Sequence, residues 1–129
     1  MYVGYDTKKV YEGKITIFGD AVVTVNGAPL APALDVAQYS TSGFSWRYRG
    51  SGPTQLAVAI MTDAFGANIA RTYAWMLDDL VQSKLHKEKP WVLTEHDLSR
   101  EFCLVCQTDS TPAKQEAYAA LLTFFLSPK

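Results

Sequence analysis

Three clusters of residues have the types and spacing for chemistry. The first is Trp46-Arg47-Tyr48-Arg49-Gly50-Ser51-Gly52-Pro53. A helix starting in such a glycine turn presents unpaired N–H groups and partial positive charge, a seat for phosphate or carboxylate. Arg47 and Arg49 would clamp the anion. Gly50, Ser51 and Gly52 would let it approach the backbone, and Gln55 lies one turn further in. Without an anion, arginines at that end are disfavoured by roughly 0.3–1 kcal/mol each. The competing reading is mechanical: the glycines permit a sharp reversal and let a buried helix sit tightly on a sheet. The turn lacks the Gly-Lys-Ser/Thr ending of a phosphate loop and is no Gly-x-Gly-x-x-Gly fingerprint. The tight joint is the favoured reading.

The second cluster is His96, Ser99, Cys103 and Cys106, which share one stripe if the segment is a helix. His96 and Cys103 would then stand roughly 10 Å apart along the axis, too far for one metal ion with bonds near 2.0–2.3 Å. A redox Cys-x-x-Cys wants its nucleophile at a helix N-terminus, whereas this pair falls toward the C-terminal end. Small buried thiols are the better account, and no metal or cofactor is expected.

The third cluster lies on one helical face. Taking Ile69 as reference, Trp75 projects about 240° round the wheel, with Arg71, Asp78, Asp79 and Gln82 and away from the apolar stripe. A tryptophan among exposed charges is a common anchor for a protein partner. The favoured reading is a covered tryptophan, under the proline-rich loop or a fourth helix, since large aromatics are mostly buried. Gln55 and Asp63 form the polar strip of an otherwise apolar helix and are candidates for buried polar function. His86 and His96 neighbour no nucleophile pattern, and no Gly-x-Ser-x-Gly elbow occurs.

These residues need elements to hold them. Two β-rich runs, Lys14–Phe18 and Ala21–Asn26, flank Gly19-Asp20 and suggest a hairpin. Ile15 and Ile17 would share one face of it. Residues 1–6 read as a further edge strand. Gly43–Arg49 read as the last strand, with Phe44, Trp46 and Tyr48 on one face and Ser45, Arg47 and Arg49 on the other. Helices follow. The first opens with Ser51 or Gly52 as cap and Pro53 at its first position, and runs to Phe65 as a central buried element. The second spans Ile69–Leu85 after an Asn68 cap, with Ile69, Tyr73, Met76, Leu77 and Leu80 inward. The third is capped by Thr94, with Asp97 as its capping-box partner and Leu93 and Leu98 as hydrophobic staple. The fourth starts at Thr111-Pro112 and buries Tyr118, Leu121, Leu122 and Phe125.

The 129 residues suit one domain with its own core, and 48% hydrophobic with 19% charged residues is ordinary for such a domain. A net charge of -1 argues against general nucleic-acid binding. The N-terminus lacks a signal pattern, and the apolar run after Pro53 is interrupted well short of a membrane span. A cytoplasmic protein is the expectation. The fold expected is a single α+β domain, residues 1–129, with an N-terminal antiparallel sheet of three or four strands in 1–49 and about four helices in 53–127.

The run Phe44, Trp46, Tyr48, Gly50, Ser51, Gly52, Pro53, Gln55, Leu56 and Ala57 resembles an uncharacterised family of small bacterial, archaeal and phage proteins of unknown function. Trp91, Leu93, Thr94, Asp97 and Leu98 fit the same pattern. The resemblance spans about 2–102 and leaves 103–129 as an extension. The family pattern has glycine where this chain has Arg47. No activity is implied, but company with phages and mobile elements suggests a role in phage–host conflict. The function expected is therefore a non-enzymatic binding protein acting through a protein interface, such as an inhibitor of a host defence complex. The runner-up is a sensor of a small anion or nucleotide at the Gly-Ser-Gly-Pro helix end.

Overall fold

In the computed structural model, which describes residues 9–40, 43–108 and 111–126 (the side chains of 108 and 122–126 excepted), the first described element is a hairpin. Strand β1 is Val10–Ile15 and β2 is Ala21–Val25, paired antiparallel with Tyr11 opposite Val25 and Ile15 opposite Ala21. Tyr11 and Gly13 of β1 and Val23 of β2 point into the core, while Glu12 and Lys14 point out, as period-two alternation requires. The connection is five residues, Thr16–Asp20, rather than Gly19-Asp20 alone. Thr16 Oγ1 accepts from the Asp20 amide at 3.1 Å, and the Thr16 amide donates to the Asp20 carbonyl at 2.8 Å. Ile17 thus leaves the sheet: it and Phe18 stand at the tip, 95% and 85% exposed.

β3 is a two-residue strand, Ala28–Pro29, at one edge. At the other edge, β4 (Trp91–Thr94) pairs antiparallel with β1, giving the order β3-β2-β1-β4. The fourth strand therefore comes from beyond the first two helices. Gly13 lies opposite Trp91, and a Cβ on Gly13 would fall on the Trp91 indole. That indole meets Trp46 edge to face, ring centres 5.3 Å apart.

The strand expected at Gly43–Arg49 does not form. Arg47 has φ +70, the left-handed region, and its amide donates to the Val81 carbonyl at 2.9 Å rather than to a neighbouring strand. Trp46 is buried, but Tyr48 swings out and its hydroxyl meets Ser45 Oγ at 2.7 Å, so the two do not occupy opposite faces. The edge strand expected over residues 1–6 falls outside the described residues.

Helix α1 (Ser51–Phe65) is capped by Gly50 rather than by Ser51 or Gly52, so Pro53 is its third residue and not its first, and its buried positions run nearly all round. The second helix is not one regular element. It is α2 (Ala67–Tyr73), entered from Gly66 rather than Asn68, then a 3₁₀ turn at Ala74–Leu77 and a π turn at Leu80–Lys84. Met76, Leu77 and Leu80 are buried, as the spacing predicts. α3 (Glu95–Thr108) starts from a reciprocal cap: Asp97 Oδ2 accepts from the Thr94 amide at 2.9 Å, and Thr94 Oγ1 accepts from the Asp97 amide at 3.2 Å. α4 (Pro112–Leu126) has Thr111 as cap. Leu121 is buried and Tyr118 packs on the core; the Leu122 and Phe125 side chains lie outside the described set. Together these elements form one α+β domain, with α1 at its centre.

Candidate functional site

At the α1 N-terminus, Arg47 and Arg49 part company. Arg47 is turned by its positive φ toward the end of the π turn, where Nη1 donates to the Leu85 carbonyl at 2.8 Å. Its guanidinium serves one of the orphan carbonyls that every helix end leaves. A Cβ on Gly50 would meet the Tyr48 ring, and one on Gly52 would meet Ser45 Oγ and the Tyr48 hydroxyl. The glycines are thus needed for close packing of the preceding loop on the helix.

Gln55 is fully buried and uses its whole amide. Oε1 accepts from the Tyr39 and Ser40 amides at 2.7 and 3.1 Å, and Nε2 donates to the Pro32 and Ala37 carbonyls at 2.6 and 3.0 Å. Two donors and two acceptors are all an amide offers. Gln55 is the clasp that ties the proline-rich loop to α1. Asp63 has a similar duty: Oδ2 accepts from the Tyr11 hydroxyl at 2.9 Å and from Lys9 Nζ at 3.1 Å. Burial, the hydrogen bond to Asp63 and the charge of that carboxylate push the Tyr11 phenol far above its ordinary value, so it stays protonated.

The Trp75 face opens onto a cavity of about 440 Å³ between the irregular second helix and the α3–α4 pair. Trp75, Asp78, Asp79 and Gln82 line it, and Arg49 enters from the preceding loop. One member of the anion set and four of the partner set thereby meet in one place, although they are up to thirty-three positions apart. Leu104, Val105 and Lys114 form the far wall. Arg71 lies on the other flank, where a cleft of about 140 Å³ runs under Ala37 and Tyr39 and shares Trp75 and Asp78 with the first. The proline-rich loop and α4 thus approach the indole from two sides without covering it. Trp75 remains 38% exposed, its Nε1–H bound to the Thr72 carbonyl at 3.0 Å. Ser51 lies exposed on the helix end, outside this cleft's lining.

Backbone irregularity coincides with the cleft. Trp75 and Met76 sit on the 3₁₀ turn, and Gln82, Ser83 and Lys84 on the π turn. Such departures inside a helix tend to mark functional segments, because they re-aim side chains at a cost in hydrogen-bond geometry. Lys84 reaches across to the buried Glu101 with Nζ 3.0 and 3.2 Å from its two oxygens, and to Asp79 at 3.4 Å. Burial alone would lower the Lys84 pKa, but the hydrogen bonds and charges of Glu101 and Asp79 outweigh it and hold the ammonium above its usual value. Asp78 is half-buried, and burial raises its carboxyl above the ordinary range while the Arg49 charge pulls it partly back.

The cysteines belong to the α3–α4 seam, where both are only partly buried rather than enclosed as expected. Cys106 Sγ donates to the Lys114 carbonyl at 3.2 Å, and Gln107 Nε2 donates to Cys103 Sγ at 3.6 Å. Burial raises the Cys106 thiol pKa, with the neighbouring Cys103 adding to it. Among the described residues no three His, Cys, Asp or Glu side chains gather as metal ligands would. No described helix is long and apolar enough to cross a membrane.

The model of DUF6166, a family of unknown function, matches residues 11–103. The chain belongs to that family. The match includes the cleft residues from Arg49 to Lys84, whereas Leu104, Val105 and Lys114 lie beyond it. No curated protein and no solved structure matches the chain.

The leucine and valine of the far wall were not singled out by sequence reasoning. Their signal is weak: Leu104 and Val105 fall between the two cysteines and read as ordinary apolar helix positions.

Proposed function

We propose that the chain is a binding protein acting through a protein interface, with the cleft around Trp75 as its contact surface. The observation that carries this reading is the exposed indole at the mouth of a cavity whose opposite wall offers Leu104, 42% exposed. A tryptophan in a concave patch with charges around it has the anatomy of an interface hot spot. The anion reading draws less support, because Arg47 is spent on the Leu85 carbonyl and Gln55 on its loop. Extension to an inhibitor of a host defence complex rests on the phage company of the family resemblance alone. Phage plating efficiency on cells expressing the chain tests that extension.

The interface itself is tested by tagged capture with wild type and Trp75→Ala. A stoichiometric protein partner should be lost in the variant while the melting temperature changes little. Truncating a fully buried tryptophan costs about 3–5 kcal/mol; a loss of that size would instead make Trp75 a core residue. A partner retained by Trp75→Ala would move the interface elsewhere.

A further inference from the structure

We propose that the cleft receives an arginine side chain of the partner polypeptide, with its guanidinium stacked on Trp75 and hydrogen-bonded to Asp78 and Asp79. This rests on the interface reading above and names the chemistry that reading leaves open.

The demand left unmet inside the cleft is for a donor. Asp78 is half-buried, yet among the described residues no group donates a hydrogen bond to its carboxylate. Arg49 attracts it electrostatically without bonding to it. Asp79, 62% exposed at its side chain, has among the described residues only the 3.4 Å approach of Lys84. Lys84 is already held by both oxygens of Glu101. The cleft's positive groups are less needy: Lys84 is committed, Lys114 on the far wall has an interaction of its own, and Arg49 is exposed so that water can serve it.

Trp75, Asp78 and Asp79 all line the cleft, so the two carboxylates and the indole face the same space. An indole face is the best aromatic seat for a cation. A guanidinium stacks on it and offers a planar fork of donors to carboxylates, which an ammonium does not. The cavity volume of about 440 Å³ exceeds what one guanidinium fills, and lies within the range of roughly 300–1,000 Å³ usual for ligand sites. Met76, Val105 and Leu104 line the remainder and suit an apolar residue beside the arginine.

The test titrates capped Leu-Arg-Leu peptide into the full-length, isotopically labelled chain and follows the Trp75 indole N–H resonance, assigned with Trp75→Phe. Capped Leu-citrulline-Leu and Leu-Glu-Leu serve as the neutral isostere and the anion. The arginine peptide should give a saturable shift, at least tenfold weaker with citrulline, and about tenfold weaker in Asp78→Asn. Equal binding of arginine and citrulline would overturn the proposal, as would preference for the glutamate peptide or no shift at millimolar peptide. If no peptide binds while Trp75→Ala still abolishes partner capture, the interface stands and the arginine is wrong. If the arginine peptide binds but no captured protein depends on Trp75, the cationic pocket stands and the interface reading fails.

Discussion

At the scale of residues, Asp78 carries a cost that the fold does not require. A half-buried carboxylate without a donor is harder to ionise than one in water, hence its raised pKa. The folded chain holds that proton more tightly than the unfolded chain does, so this group makes stability fall as pH rises through the window between the two values. Above the raised value the penalty is fully present; below the ordinary carboxylate value it is gone. Asp78→Asn, which keeps the shape without the charge, should therefore raise the melting temperature at neutral pH. The gain should shrink to nothing as the pH drops below the ordinary carboxylate range. Melting curves of both chains from neutral to acid pH check this; a variant less stable at neutral pH would show that the carboxylate has a structural partner. A stabilising substitution at a cleft residue is the usual signature of a position kept for binding. Gln55 shows the opposite case. Its burial and polarity were legible as one polar position on an apolar helix, but its four partners sit fifteen to twenty-three positions away. Only the folded loop reveals that the amide is structural.

At the scale of elements, legibility followed how local the deciding interaction was. The Thr94–Asp97 cap and the Thr111-Pro112 start involve groups three residues apart or fewer, and both were readable. β4 was not, because four residues beside a helix cap give little alternation and their partner, β1, lies some eighty positions earlier. The run Gly43–Arg49 alternates aromatic and polar residues like a strand, yet the positive φ at Arg47 breaks it. The 3₁₀ and π turns were hidden because the apolar spacing of the second helix persists through them. The sheet has a matching hidden dependence at Gly13, whose missing side chain is the space that the cross-strand Trp91 indole fills. Gly13→Val, although a better strand former, should therefore destabilise. Overpacking a well-filled site costs about 1–3 kcal/mol, and displacing Trp91 also disturbs its edge-to-face pair with Trp46. Chemical denaturation of Gly13→Val measures the loss. A neutral or stabilising result would mean that the indole can move aside at no cost.

At the scale of the molecule, the cleft exists only because three remote stretches are held against one another. The loop after Trp46 is fastened to the π turn by Arg47, through the Val81 and Leu85 carbonyls. The π turn is fastened to α3 by Lys84 and Glu101, and α3 to α4 partly by Cys106 and the Lys114 carbonyl. Of these clamps the ion pair joins halves of unequal burial, Glu101 being 5% and Lys84 40% exposed at the side chain. Removing one partner of a wholly buried pair costs about 3–5 kcal/mol, mainly because the other charge is stranded. Lys84→Met strands a buried carboxylate, whereas Glu101→Gln leaves an ammonium that water and Asp79 still reach. Lys84→Met should therefore cost more than Glu101→Gln, though less than the fully buried figure. The double variant should recover part of the Lys84→Met loss, a coupling that a double-mutant cycle isolates. Strict additivity would mean that the pair does not clamp the cleft. With coupling present, partner binding in Lys84→Met should fall even where the chain remains folded, because the wall carrying Gln82 and Ser83 is then free to move away from Leu104.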